Sequence, residues 1–219
     1  MAKAPVVHAE LFAYDSRIRT EHGVFCGVDE AGRGPLAGDV YAAAVILPEG
    51  LTLPYLNDSK KLSEKRREEL ANIIKENALA WHIAFASVAE IEELNVLQAS
   101  LLAMCRAVEG LGMVPDYALV DGNQMPGLHI PAGTLVSGDA RSASIAAASV
   151  LAKTARDASL RELDKQYPEY GFARHKGYGT KAHYAALDAH GATPVHRQSF
   201  LKKYYEQRRK AQEQAEEQA

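Results

Sequence analysis

The sequence predicts a layered α/β domain. Short apolar runs alternate with longer amphipathic stretches along the chain, which is the pattern of strands and helices packed in layers. Glycine and proline punctuate the joints. The 219 residues are 47% hydrophobic and 24% charged, an ordinary balance for one well-filled core.

Residues 1–20 read as a loosely held lead-in, with Leu11-Phe12-Ala13-Tyr14 available to dock on the body. Val24 to Asp29 reads as a buried strand, broken by Gly32, Gly34 and Pro35. Tyr41 to Leu47 is a second apolar run, and the two suggest a hairpin-like pair. Ser63 is an N-cap candidate for a helix to about Asn77. Leu79 to Ala86 reads as a strand. Ser87 and Glu90 form a capping box ahead of one long helix to about Gly110. Tyr117 to Val120 and Thr134 to Val136 are short strands. Ala143 to about Gln166 is an Ala-rich helix, and Lys181 to His190 and Gln198 to about Gln214 are two more. The expected organisation is a lead-in (1–20), a main domain (21–170), a helical lobe of the same unit (171–210) and a flexible tail (211–219).

Composition narrows the function classes. The longest early apolar run, Tyr41 to Leu47, is far short of a membrane span, and Met1 to Glu10 has no secretory apolar core. Cys26 and Cys105 lie far apart, without a CxxC, so both are expected as small buried thiols in a reducing, cytoplasmic setting. The usual structural zinc site is excluded. Net charge is −3, unevenly spread: residues 1–150 carry −7 and residues 151–210 carry +7. That basic half also holds His175, His183, His190 and His196, and it could face phosphates.

The chemistry sits at strand ends. Val28-Asp29-Glu30, Val120-Asp121-Gly122 and Ser137-Gly138-Asp139 each join an apolar run to an acid. A carboxylate there is costly unless paired, hydrogen-bonded or metal-bound, and an ordinary turn or helix cap is the alternative. Strands lying side by side would bring these acids to one edge, where a hard divalent cation suits all-oxygen ligands. Gly32-Arg33-Gly34 lets the backbone approach a ligand, with Arg33 able to fork onto a phosphate. Asp58-Ser59-Lys60-Lys61 is a polar loop suited to phosphates. Arg174 to Thr180 sets Tyr178 between glycines and cations, as for stacking on a sugar or base.

Taken together, these stretches resemble type 2 ribonuclease H, the bacterial ribonuclease HII family. The matching blocks are Gly27–Gly38, Asn57–Ser63, Val120–Gly122, Gly138-Asp139, Ser144–Asp157, His175–Thr180 and Thr193–Phe200, in family order over roughly residues 23 to 203. The resemblance implies an RNase H-like mixed sheet with flanking helices and a small C-terminal helical lobe. It implies an endonuclease that cuts the RNA of RNA–DNA hybrids and incises duplex DNA at embedded ribonucleotides, for their removal in replication and repair. Asp29, Glu30, Asp121 and Asp139 match the family's four metal-binding acids. Gly32, Arg33 and Gly34 match the turn that senses the 2′-hydroxyl. Tyr178 matches the residue that stacks on the neighbouring deoxyribose, and Lys60 and Lys61 match basic positions near the nucleic-acid backbone. One departure is Ser137, where the family usually has Lys.

The implied reaction is two-metal hydrolysis with Mg²⁺ or Mn²⁺, the ions ~3.5–4 Å apart. Asp29 would bridge both, Glu30 and Asp121 would hold one, and Asp139 the other. Another metal nuclease or strand-transferase on a similar fold, and a non-catalytic nucleic-acid binding protein, are the competing readings. Gln198, Leu201, Tyr204 and Tyr205 have the spacing of a sliding-clamp peptide, and equally that of an apolar helix stripe. A monomer is the family expectation.

Overall fold

The computed structural model describes residues 6–216. Five strands make one mixed sheet: β1 (Phe25–Ala31), β2 (Val40–Ile46), β3 (Ala80–Ala86), β4 (Tyr117–Asp121) and β5 (Ala132–Leu135), in the order β3-β2-β1-β4-β5. β2 runs antiparallel to β1, with Ala43 opposite Asp29, and β3 runs antiparallel to β2. β4 is parallel to β1, with Val28 beside Val120, and β5 is parallel to β4, with Asp121 beside Leu135. The carboxyl ends of β1, β4 and β5 therefore emerge at one edge.

The helices are α1 (Ala9–His22), α2 (Glu64–Asn77), α3 (Val88–Leu94), α4 (Val96–Glu109), α5 (Ala143–Gln166), α6 (Phe172–His175), α7 (Lys181–His190) and α8 (Gln198–Glu216). Strand β2 is buried on both faces, which is why its sequence reads as a continuous apolar run. Ala43, Val45 and Leu47 meet α1, α2 and α5, while Ala42, Ala44 and Ile46 meet α3 and α4. A third cluster joins Leu36 and Leu160 to Phe172, Leu187 and Leu201 of the C-terminal helices.

Helix α5 crosses β1 at backbone contact. A Cβ on Gly27 would fall 2.2 Å from the Ser144 carbonyl carbon. The run Ala143 to Ala152 is buried at every position, and Ala and Ser are the residues small enough for that approach.

Several expectations are corrected. Residues 9–22 of the lead-in form helix α1, with Leu11 and Asp15 buried. The single helix from 88 to 110 is two, because Asn95 (φ 70°) breaks the run and its side chain caps α4 through Leu97 N and Gln98 N. β5 starts two residues earlier and ends one residue earlier than expected, and Val136 is exposed beyond it. The turn of helix α6 had no sequence signal. Cys26 is buried but Cys105 is half-buried. Of the expected flexible tail, residues to Glu216 continue α8, and 217–219 lie outside the described residues, as do residues 1–5 of the lead-in. No helix among the described residues is long and apolar enough to cross a membrane.

Candidate active site

The sheet edge collects the acids. Asp29 lies near the end of β1 at 5% exposure, and Asp121 ends the neighbouring β4; each follows the paired Val28 and Val120. Asp121 Oδ1 accepts a 2.6 Å hydrogen bond from Gly138 N, which pulls in the 3-10 turn Gly138–Ala140 that carries buried Asp139. Ser137 enters that turn in the left-handed region (φ 55°). Glu30 follows Asp29 on β1 and pairs with Arg33 at 3.4 Å. Lys60 Nζ stands 3.8 Å from Asp139 Oδ2.

The electrostatics match that crowding. Burial, then the fields of Glu30, Asp121 and Asp139, raise the Asp29 carboxyl well above the usual range. Burial likewise raises Glu30, against the pull of Arg33. Burial, then Asp58 and Asp121, raise Asp139 although Lys60 opposes them. For Lys60, burial works downward, but Asp139, Asp58, Asp29 and Asp121 together raise it. Asp29 receives one hydrogen bond among the described residues, from Glu30 N at 2.7 Å. Oxygen acceptors crowded together without enough donors are a donor set for a hard cation. Among the described residues, no three His, Cys, Asp or Glu side chains already stand around one point as a closed cage. The acids line an open rim instead.

A cleft of about 260 Å³ runs from that rim. Asp29, Glu30, Lys60 and Lys153 line it together with Gly32, Arg33, Gly34 and Tyr178. Gly32 has φ +107°, and a Cβ there would sit 2.2 Å from Arg156 Nε. Gly34 faces the Tyr178 ring at van der Waals distance. Lys61 is not in the cleft: it opens onto a separate recess with Tyr55, Asn57 and Arg66, because successive residues of the 3-10 turn point apart.

Two buried arginines build the walls, and no local sequence signal marks them. Arg197 Nη2 donates to Gly32 O at 2.7 Å and Nη1 to Arg33 O at 3.0 Å. Its Nε reaches Gly38 O at 2.9 Å. Arg156 reaches Lys176 O and Ala37 O. Burial and the neighbouring Arg156 push Arg197 down to about 10. Asp58 caps the turn of Lys60 at 2.9 Å, and Ser59 is tied to Ser149 of α5 at 2.7 Å. His183 and His196 do not face phosphates as the charge distribution suggested; both are buried beneath Tyr178.

A profile described as Ribonuclease HII matches residues 26–203 of the chain. The chain belongs to the ribonuclease HII family. Ribonuclease HII of Dechloromonas aromatica (strain RCB) is 62% identical over 178 residues, 81% of this chain and 91% of that protein. The ribonuclease H2 of Pyrococcus horikoshii OT3 superposes with a TM-score of 0.69 at 25% identity, over 85% of this chain and 99% of that one. The ribonuclease HII in the PCNA complex from Archaeoglobus fulgidus superposes at 0.62, with 23% identity over 80% and 93%. As a ribonuclease HII family member with an RNase H-like fold, the protein is a metal-dependent endoribonuclease acting on RNA–DNA hybrids.

Leu201 and Tyr204 of the clamp-like stripe belong to the lobe. Leu201 is fully buried, and the Tyr204 hydroxyl bonds Asp188 and the Tyr184 carbonyl, while Tyr205 is exposed.

Proposed function

We propose that the protein also incises duplex DNA on the 5′ side of embedded ribonucleotides, leaving a 3′-hydroxyl and a 5′-phosphate, in the removal of ribonucleotides during replication and repair. The observation that carries this reading is one continuous cleft joining the acids Asp29 and Glu30 to Gly32–Gly34 and Tyr178. Two divalent cations, Mg²⁺ or Mn²⁺, supply an activated water and charge stabilisation at the leaving oxygen when bound. Asp29 would be the shared ligand in this reading, because it is central in the family resemblance. Glu30 and Asp121 would hold one cation and Asp139 the other.

The chain's own groups do the recognition. Backbone groups of Gly32 to Gly34 meet the 2′-hydroxyl, the atom that separates RNA from DNA. Left without it, each buried polar group costs about 1–3 kcal/mol. Tyr178, 48% exposed opposite Gly34, offers its ring to the neighbouring deoxyribose. Arg33 screens Glu30, and Lys60 screens Asp139 at the rim. Lys61, with Arg66 beside it, contacts a backbone phosphate further along the strand. Cytoplasmic location is part of the reading and accords with two free thiols.

The test is cleavage of a labelled DNA duplex carrying one ribonucleotide, with Mg²⁺, Mn²⁺ or chelator, beside an all-DNA control. One metal-dependent cut 5′ to the ribose supports the reading. Cutting of a long hybrid alone overturns the junction roles of Gly32–Gly34 and Tyr178. Contact with a sliding clamp through Gln198–Tyr205 would rest on the exposed Gln198 and Tyr205, since Leu201 is held in the lobe core. Clamp pulldown by a Gln198→Ala/Tyr205→Ala variant tests it; undiminished capture rules it out.

A further inference from the structure

Beneath Tyr178 lies a directional chain of hydrogen bonds. Thr193 N donates to His196 Nδ1 at 3.0 Å, so that nitrogen is an acceptor and the proton of a neutral His196 sits on Nε2. His196 Nε2 then donates to His183 Nε2 at 3.0 Å. That leaves the His183 proton on Nδ1, which donates to the Tyr178 carbonyl at 3.0 Å. The same carbonyl also accepts from Thr180 N at 2.8 Å. Both rings are almost fully buried and are walled by Tyr170, Phe172 and His175.

The next residue along the chain is Arg197. Its fork holds the carbonyls of Gly32 and Arg33, which line the cleft with Tyr178, and the carbonyl of Gly38. The backbone is pinned between them: Arg197 N donates to Leu36 O at 2.8 Å, and Leu36 N donates to Gly177 O at 2.8 Å. Two consecutive residues thus reach two parts of the cleft lining, His196 to Tyr178 through His183 and Arg197 to Gly32 and Arg33.

We propose that His196-Arg197 is a positioning unit for substrate specificity: Arg197 holds the Gly32–Gly34 turn, His196 holds Tyr178 through His183, and the dipeptide sets the gap into which a ribose–deoxyribose junction fits. This rests on the junction-sensing reading above. It adds that selectivity depends on two histidines that touch neither substrate nor metal.

The experiment compares kcat/KM on a single-ribonucleotide duplex with kcat/KM on a long RNA–DNA hybrid. His183→Phe keeps the ring contacts and removes the donor to Tyr178. The junction-to-hybrid ratio is expected to fall about tenfold, the effect of one buried hydrogen bond. His183→Asn places an amide N–H near the Nδ1 position and is expected to restore the ratio to within about threefold of wild type. In a Tyr178→Ala background, His183→Phe is expected to change the ratio no further, because the ring it positions is gone.

Equal losses on both substrates, or a ratio that stays at the wild-type value, overturn the proposal. Tyr178→Ala alone separates the two levels. If it leaves the ratio unchanged, the junction reading fails; if it collapses the ratio and His183→Phe does not, only the positioning unit fails. Imidazole ¹⁵N spectra of the wild-type protein test it without any variant. His183 protonated at Nδ1 and His196 at Nε2 support it, and the opposite tautomers overturn it.

Discussion

Asp121 Oδ1 accepts a 2.6 Å hydrogen bond from the backbone N–H of Gly138. One carboxyl therefore serves two ends: it follows Val120, the partner of the residue before Asp29, and it draws in the turn that carries Asp139. The two tasks separate by substitution. Asp121→Asn keeps an oxygen acceptor for Gly138 N and loses the charge, so cleavage is expected to stop while the melting temperature holds. Asp121→Ala loses both, and unfolding in denaturant is expected to show a further loss of about 1–3 kcal/mol. Equal stability of the two variants would show that the Gly138 bond does not hold the turn.

Asp29→Asn is expected to abolish cleavage while hybrid binding survives, as read by product gels and by binding to labelled hybrid. Its stability effect has a sign. The Asp29 carboxyl is raised in the folded state, so folding favours its neutral form and stability declines as pH rises through the unfolded value toward the folded one. The amide escapes this. In chelator, thermal melts of Asp29→Asn against wild type are expected to diverge in favour of the variant as pH rises above the unfolded carboxyl value. Adding Mg²⁺ is expected to raise the wild-type melting temperature and to leave the variant unmoved.

His196 is lowered to about 4, chiefly by burial and then by His183. It folds as the neutral ring, and the unfolded chain takes up the proton first. Its contribution is complete above the unfolded value near 6.5 and is lost as pH falls toward about 4. The wild-type protein should lose melting temperature over that interval, and His196→Gln should flatten the curve there. An unchanged slope in the variant would assign the acid sensitivity to other groups.

Gly32→Ala combines a left-handed φ of +107° with a Cβ placed 2.2 Å from Arg156 Nε. Strain and displacement of a buried guanidinium are expected to cost roughly 1–3 kcal/mol in denaturant unfolding. Gly34→Ala meets only the Tyr178 ring at 3.6 Å and is expected to fold normally. A Gly32→Ala protein as stable as wild type would show that Arg156 has room to withdraw.

Asp15 of α1 caps the start of α5. It accepts from Ser142 Oγ at 2.6 Å, Ser144 N at 2.8 Å and Ser144 Oγ at 2.7 Å. Asp15→Ala is expected to cost about 2–3 kcal/mol in denaturant unfolding, since it leaves several buried donors unpaired. A loss below about 0.5 kcal/mol would mean that water replaces the carboxylate.

The strand-end acids were legible because each ends or follows an apolar run, as in Val28-Asp29-Glu30 and Val120-Asp121-Gly122. Their meeting at one edge depends on β1, β4 and β5 being parallel, and strand direction leaves no mark on local pattern. The Ser87–Glu90 cap was legible, but Asn95 lies inside a helical period, and its capping of a second helix shows only in its φ. Arg156 and Arg197 look like surface cations in a basic half. They are buried because the carbonyls of residues 32–38 and Lys176 offer them acceptors, and those partners lie far away in sequence. Helix α1 has a weak apolar face, and its anchor, Asp15, is a residue type that sequence patterns place at the surface.

The Asp15–Ser142 bond joins positions 127 residues apart, and the profile match begins only after α1. At synthesis rates of about 5–20 residues per second, Asp15 leaves the ribosome on the order of ten seconds before the serines it caps. Through that interval α1 can rest on Leu47 and the β2 face, where Arg19 donates to Leu47 O, but its buried carboxylate has no partner. The first helix made therefore completes its docking late, and newly made chains halted before residue 142 should be cut by protease in α1 faster than the full chain.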